Sequence, residues 1–152
     1  MTMLSISELF VDTNILVYYT NPQLPQHTAA TQALDSARQN NTELIVSPQI
    51  LREYLAANTK FVSAGHQITL NKIRENFQVL LTQFRVVDDN SQVLNTLNNL
   101  LQTVSVAGKQ IYDANIVATM QVYGIQHLLT NNVNHFVSFA SIITVIPLQA
   151  NP

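Results

Sequence analysis

The chain reads as one α/β domain, a three-layer sandwich in which a mostly parallel, five-stranded sheet is covered by helices, and three observations predict it. Short apolar runs alternate with longer amphipathic ones through residues 1 to 152, the pattern of strands joined by helical crossovers. The strand-like runs are nearly continuous in apolar residues, as strands buried on both faces must be. No repeat, long linker or charge run divides the 152 residues, which suffice for a single sizeable core.

Phe10 and Val11 close the first strand, and Ile15 to Tyr19 form a short helix stopped by Asn21-Pro22. Pro25 opens a second helix through about Asn40, with Ala30, Ala33, Leu34 and Ala37 on its apolar face. Glu43 to Val46 read as a buried strand. Ser47-Pro48 then supply an N-cap and a first-turn proline for a helix to about Lys60. Gln67 to Gln83 read as a helix with Ile68, Ile73, Phe77, Leu80 and Leu81 on one side, followed by a strand at Phe84 to Val87. Asp88, Asp89 and Asn90 act as turn and cap for a helix carrying Val93, Leu94, Leu97 and Leu101. Gly108 breaks the chain, Ile111 to Tyr123 are helical up to Gly124, and Ile125 to Thr130 and Ile142 to Ile146 complete the strands.

Composition removes several function classes. Hydrophobic residues make up 47% and charged ones 11%, the balance of a globular chain. No apolar run approaches the ~20 residues of a membrane helix. The segment Met1 to Ile6 lacks the basic stretch and small-residue cleavage site of a secretory signal, so a cytoplasmic location is expected. With no cysteine there is no disulfide, thiolate nucleophile or zinc-thiolate site. A net charge of −2 argues against a general nucleic-acid coating protein but leaves room for a locally basic site. Three glycines cannot assemble a phosphate-cradling loop.

Nine residues are acidic, and three of them sit among apolar neighbours. Asp12 follows the first strand, at the sheet edge where ligands bind in open α/β folds. Glu53 lies a turn and a half into its helix, and Asp113 lies near the start of another. Each has an ordinary alternative: Asp12 as an N-cap, Glu53 as a solvated helix position, Asp113 as a partner of the helix dipole. Taken together they suit a divalent cation, because clustered carboxylates repel one another unless protonated or bound to a metal. Oxygen ligands favour Mg²⁺ or Mn²⁺, and the matching chemistry is metal-assisted phosphodiester hydrolysis.

These segments resemble the PIN-domain family, and more closely the VapC-type ribonuclease toxins of bacterial toxin–antitoxin pairs. Phe10 to Tyr18 (Phe-Val-Asp-Thr-Asn-Ile-Leu-Val-Tyr) is similar to the family's opening strand with its first acid. Ser47 to Tyr54 looks like the helix bearing the second, and Gly108 to Ala114 like the segment bearing the third. The resemblance runs from Phe10 to Pro147. It implies one PIN-like domain with a five-stranded parallel sheet, and a Mg²⁺- or Mn²⁺-dependent endoribonuclease acting on RNA. It also implies a homodimer and a protein antitoxin that blocks the site. On this carry-over Asp12, Glu53 and Asp113 are the metal ligands and catalytic acids. Thr13 and Asn14 orient the first carboxylate, with Thr130 and Asn132 in support.

One motif departs from the family. Thr130-Asn131-Asn132-Val133-Asn134-His135-Phe136 matches a Thr-x-Asn-x-x-Asp-Phe pattern except that His135 stands where the fourth acid is usual. Asn132 brings no negative charge, which puts a second metal position in question. His135 reads either as a substrate contact or as a surface histidine. Arg52 and Lys109 adjoin the acids and are candidates to hold RNA phosphate, or simply to pair with the acids. Tyr18, Tyr19, Tyr54 and Tyr112 offer stacking surfaces for bases or belong to the core. Leu16, Tyr18 and the apolar face of residues 93 to 101 are candidates for a dimer surface. A phosphohydrolase with Asp12 as nucleophile is disfavoured, since Asp12-Thr13-Asn14 lacks the second carboxylate of an Asp-x-Asp pair. The other class left open is a catalytically silent PIN-like module that binds RNA or protein.

Overall fold

The structure is a computed structural model describing residues 5–149, so Met1 to Leu4, part of the segment in which no secretory signal is expected, lie outside the described residues. In chain order it comprises β1 (Glu8–Val11), α1 (Thr13–Thr20), α2 (His27–Gln39), β2 (Glu43–Val46), α3 (Pro48–Ser63), α4 (Leu70–Gln83) and β3 (Arg85–Val86). Then follow α5 (Ser91–Leu100), α6 (Gln110–Tyr123), β4 (His127–Thr130), a 3₁₀ helix (Val133–Phe139) and β5 (Thr144–Pro147). The five strands form one sheet in the order β3-β2-β1-β4-β5, and every neighbouring pair is parallel. The mostly parallel sheet read from the sequence is therefore wholly parallel.

The core follows from the strand sequences. Leu9, Phe10 and Val11 of β1, Leu44, Ile45 and Val46 of β2, and Leu128 and Leu129 of β4 are all buried, as central strands covered on both faces require. Helix α1 packs on α2 and α3, α3 packs on α4, and α5 packs on α6. Burying a side chain the size of Phe10 contributes roughly 1.5–3 kcal/mol, so these strands anchor the edge from which the site is built.

The helix ends carry the predicted signals. Ser47 accepts from Ile50 N with Pro48 at the first position of α3, and Asn90 accepts from Gln92 N and Val93 N at 3.1 and 3.2 Å to cap α5. Gly124, at φ +69°, ends α6: its N–H donates to the Gln121 carbonyl while Ile125 N–H reaches back to Met120.

Four expectations need correction. Leu94 is 64% exposed and Leu101 38%, so only Val93, Leu97 and Leu100 turn the α5 face inward. Leu81 is also exposed, and Ile68 precedes α4, whose cap is Thr69. Leu16 is wholly buried in its own chain and cannot belong to a dimer surface. The 3₁₀ helix has no counterpart among the predicted elements. Its buried Phe136 and Phe139 stand three residues apart, the repeat of that helix, while Val133 and Val137 of the same run face solvent and blur the pattern.

Candidate functional site

The order β3-β2-β1-β4-β5 creates a switch point between β1 and β4, where chain progression reverses and a crevice opens beyond the strands' carboxyl ends. Val11 pairs with Leu129, and Asp12 N–H donates to the Leu129 carbonyl at 3.0 Å. That register sets Asp12 beside Thr130. Asp12 is both a cap and a site carboxylate, because its two oxygens do different work. Oδ1 accepts from Thr13 N at 2.8 Å at the start of α1, while Oδ2 accepts from Thr130 Oγ1 at 2.7 Å and Asn14 Nδ2 at 3.1 Å. A carboxylate has about four acceptor positions, so Oδ1 retains one for a further partner.

Asn14 reaches Asp12 through its side chain, whereas Thr13 reaches it only through its backbone N–H. Thr13 Oγ1 donates to Glu53 Oε2 at 2.8 Å, linking the first two acids through one residue. Asn14 Nδ2 also reaches Thr130 Oγ1 at 3.3 Å, and its Oδ1 accepts from Asn131 N at 3.0 Å. Thr130 is fully buried and accepts in turn from Asn132 N at 3.0 Å, so Asn132 enters the network through its backbone. Asp113 sits in the first turn of α6 with its side chain 20% exposed, and His135 Nδ1 lies 3.7 Å from its Oδ2. The 3₁₀ helix thus delivers His135 to the third acid.

The carboxylates sense one another. Burial pushes Asp12 above the usual carboxylate range; the Thr130, Thr13 and Asn14 hydrogen bonds oppose that rise and the charge of Glu53 adds to it. Asp113 is pushed up to about 6, chiefly by burial, with His135 lowering it and the charges of Asp12 and Glu53 raising it. Such mutual repulsion among oxygen ligands is what a bound divalent cation offsets. Among the described residues, however, no three His, Cys, Asp or Glu side chains converge closely enough to enclose an ion by themselves. The donor set fits a hard cation that keeps part of its water shell, as Mg²⁺ does.

Gln49 and Asp89 were not legible as participants. Gln49, one turn before Glu53 on α3, donates through Nε2 to Glu53 Oε1 at 3.1 Å and to the Tyr112 carbonyl at 3.0 Å. Its Oε1 accepts from Asn115 Nδ2 at 2.7 Å, and that same nitrogen donates to Asp89 Oδ2 at 3.0 Å. The amide orientations are forced from both ends, since the carboxylates of Asp89 and Glu53 and the Tyr112 carbonyl can only accept. The relay ties α3, α6 and the β3–α5 turn together around Glu53. The spacing of Gln49 and Glu53, one turn apart, is the only sequence signal that pointed to it.

Beside Glu53 opens a cleft of about 530 Å³ lined by Gln49, Arg52, Asp89, Leu97, Tyr112 and Asn115, among others. Arg52 is exposed there, whereas Lys109 is exposed just before α6 and is not among the lining residues. Tyr112 is 60% exposed. Tyr54 is fully buried, its hydroxyl donating to Thr20 Oγ1, so it is a core residue and no base platform. Tyr19 lies under the Arg38 guanidinium and donates to Gln83, and the Tyr18 hydroxyl accepts from Asn131.

The PIN domain family model matches residues 9–140. Ribonuclease VapC24 of Mycobacterium tuberculosis is 27% identical over 132 residues, spanning 86% of this chain and 90% of the relative. Among solved structures, VapBC2 from Rickettsia felis, bound to a DNA fragment from the promoter, superposes with a TM-score of 0.69 at 18% identity, over 93% of this chain and 99% of that one. VapC20 of Mycobacterium tuberculosis, a Sarcin-Ricin loop cleaving toxin, gives 0.67 at 17% identity, over 90% and 96%. A toxin–antitoxin complex from Klebsiella pneumoniae gives 0.67 at 19% identity, over 94% and 99%. At these identities the solved structures establish the fold.

Proposed function

Because this chain belongs to the PIN-domain family and gathers three mutually repelling carboxylates at its sheet switch point, we propose that it is a divalent-metal-dependent endoribonuclease, the toxin of a toxin–antitoxin pair. The observation that carries the reading is the cluster itself, in which Thr13 links Asp12 to Glu53 by hydrogen bonds and the charges of both acids reach Asp113. Its relative VapC24 is a ribonuclease, and the Klebsiella neighbour is a toxin–antitoxin complex. Both support RNA as substrate and an antitoxin as partner.

Asp12, Glu53 and Asp113 are the residues that would hold Mg²⁺ or Mn²⁺. What the ion supplies when bound is an acidified water and stabilisation of charge on the phosphate oxygens. The protein's own groups fix the geometry. Thr130, Thr13 and Asn14 lock the Asp12 carboxylate, and Thr13 and Gln49 lock Glu53 from its two oxygens. Arg52 meets substrate phosphate in the cleft, and His135 stands beside Asp113 where RNA passes. Lys109, outside the cleft lining, is not assigned to substrate. The active protein is a cytoplasmic homodimer, with the exposed Leu94 and Leu101 of α5 as candidate surface. Among the described residues no helix is long and apolar enough to cross a membrane.

One observation favours the second reading, a silent RNA- or protein-binding module: the acids form no closed cage, and Asn132 and His135 replace the usual fourth carboxylate. Incubation of pure protein with mixed RNAs and Mg²⁺ or Mn²⁺ separates the two. Cleavage is expected, and it is lost in EDTA and in Asp113→Ala. Cleavage that survives both controls, or no cleavage of any RNA, overturns the nuclease reading. Growth arrest on expression supports a toxin only when Asp12→Ala relieves it.

A further inference from the structure

We propose that the cleft beside Glu53 is a subsite for an unpaired guanine base of the RNA, adjacent to the phosphate being cut; its link to cleavage rests on the nuclease reading above. Leu97 and Ile111, both partly buried, and the exposed Tyr112 give the cleft an apolar wall of the kind on which unpaired bases lie. Its rim is unsuited to any phosphate beyond the one that Arg52 meets. Glu53 and Asp89 put two carboxylates against a single cation, Arg52, so a neutral base fits where a second phosphate is repelled.

Hydrogen-bond accounting then selects the base. The amide hydrogens of Gln49 and Asn115 are committed to Glu53, the Tyr112 carbonyl, Gln49 and Asp89. Asn115 Oδ1 and Asp89 Oδ1 receive no hydrogen bond among the described residues, so every position that the relay leaves open is an acceptor. Guanine alone presents two adjacent donors, N1–H and the N2 amino group, on its Watson–Crick edge. Adenine, cytosine and uracil each set a ring nitrogen or carbonyl acceptor beside their donor, which a carboxylate repels. The bond from Asn115 to Asp89 holds the carboxylate in place to receive that edge.

The test uses free nucleosides, which need neither metal nor cleavage. In NMR titrations of the metal-free protein, guanosine is expected to shift the backbone signals of Gln49, Tyr112 and Asn115. It should bind about tenfold more tightly than inosine, which lacks the N2 amino group, or adenosine. Asp89→Asn, an exposed turn substitution whose fold circular dichroism checks, should remove the preference. Equal shifts from all three nucleosides, no shifts, or a guanosine preference that survives Asp89→Asn overturns the subsite. The inosine arm needs no variant, so misfolding cannot mask the answer. Mapping of product ends separates the two readings: metal-dependent cleavage without guanine beside the cut sinks the subsite alone. Absence of cleavage sinks the nuclease reading while the nucleoside titration still decides the subsite.

Discussion

Replacing Asp113 with Asn should stabilise the metal-free protein while removing its response to metal. In the folded chain Asp113 sits at about 6 against an ordinary 3.8, a gap of about two units. At ~1.36 kcal/mol per unit that gap sets a ceiling near 3 kcal/mol. The side chain is 20% exposed and faces His135, so solvent screening reduces the gain to about 1 kcal/mol. For a chain of this size that is a rise in Tm of roughly 2–4 °C. The sign follows from proton counting. Between about pH 4 and 6 the folded state binds more protons at this position than the unfolded one, so wild-type stability falls as pH rises through that window. Toward pH 4 Asp113 is protonated in the folded state and partly so in the unfolded one, so Asn, its near-isostere, should lose most of its advantage. Thermal melts in EDTA at pH 8 and pH 4 measure the difference. Adding Mn²⁺ at pH 8 should reverse the order, because only the wild type binds the ion with all three acids, and an ion at 100 times its Kd adds ~2.7 kcal/mol. A variant less stable than wild type in EDTA at pH 8, or a difference that persists unchanged at pH 4, refutes the reasoning.

Substitutions at two further positions probe the supports. Thr130→Val removes a buried hydroxyl that donates to Asp12 and accepts from Asn14 and Asn132; urea denaturation should show a loss of ~2 kcal/mol, and calorimetry weaker Mn²⁺ binding. Unchanged stability with unchanged metal affinity would count against its role. Gln49→Leu frees Glu53 from one of its two donors, so metal affinity or RNA cleavage rate should fall on the order of 10–100-fold. Gln49→Glu, unable to donate when ionised, should do no better, and full activity in either variant would show the relay to be ornamental.

Much of the fold was legible because its signals are local. The apolar runs at 9–11, 44–46 and 128–129 are buried strands, and the caps at Ser47 and Asn90 and the stop at Gly124 stand where the sequence puts them. Errors fell where periodicity misleads. Leu81, Leu94 and Leu101 fit an apolar helical pattern yet face solvent, since a pattern of apolar spacing does not say how wide the packed face is. Asp89 read as one of three turn residues. Asn90 took the cap, and Asp89 instead reached Asn115 on another helix, a bond spanning 26 positions that no local rule anticipates.

The sequence by itself determined the three acids, the strand that Asp12 ends and the family to which they belong, because each rests on a short run of residues with a fixed local geometry. Only the tertiary structure decided that β1 and β4 lie side by side at the switch point, setting Thr130 on Asp12. It also decided that Gln49, Asn115 and Asp89 brace Glu53, and that His135 faces Asp113. Strand order and helix packing are fixed by burial summed over the whole chain. The partners of a carboxylate are therefore chosen by residues far from it in sequence.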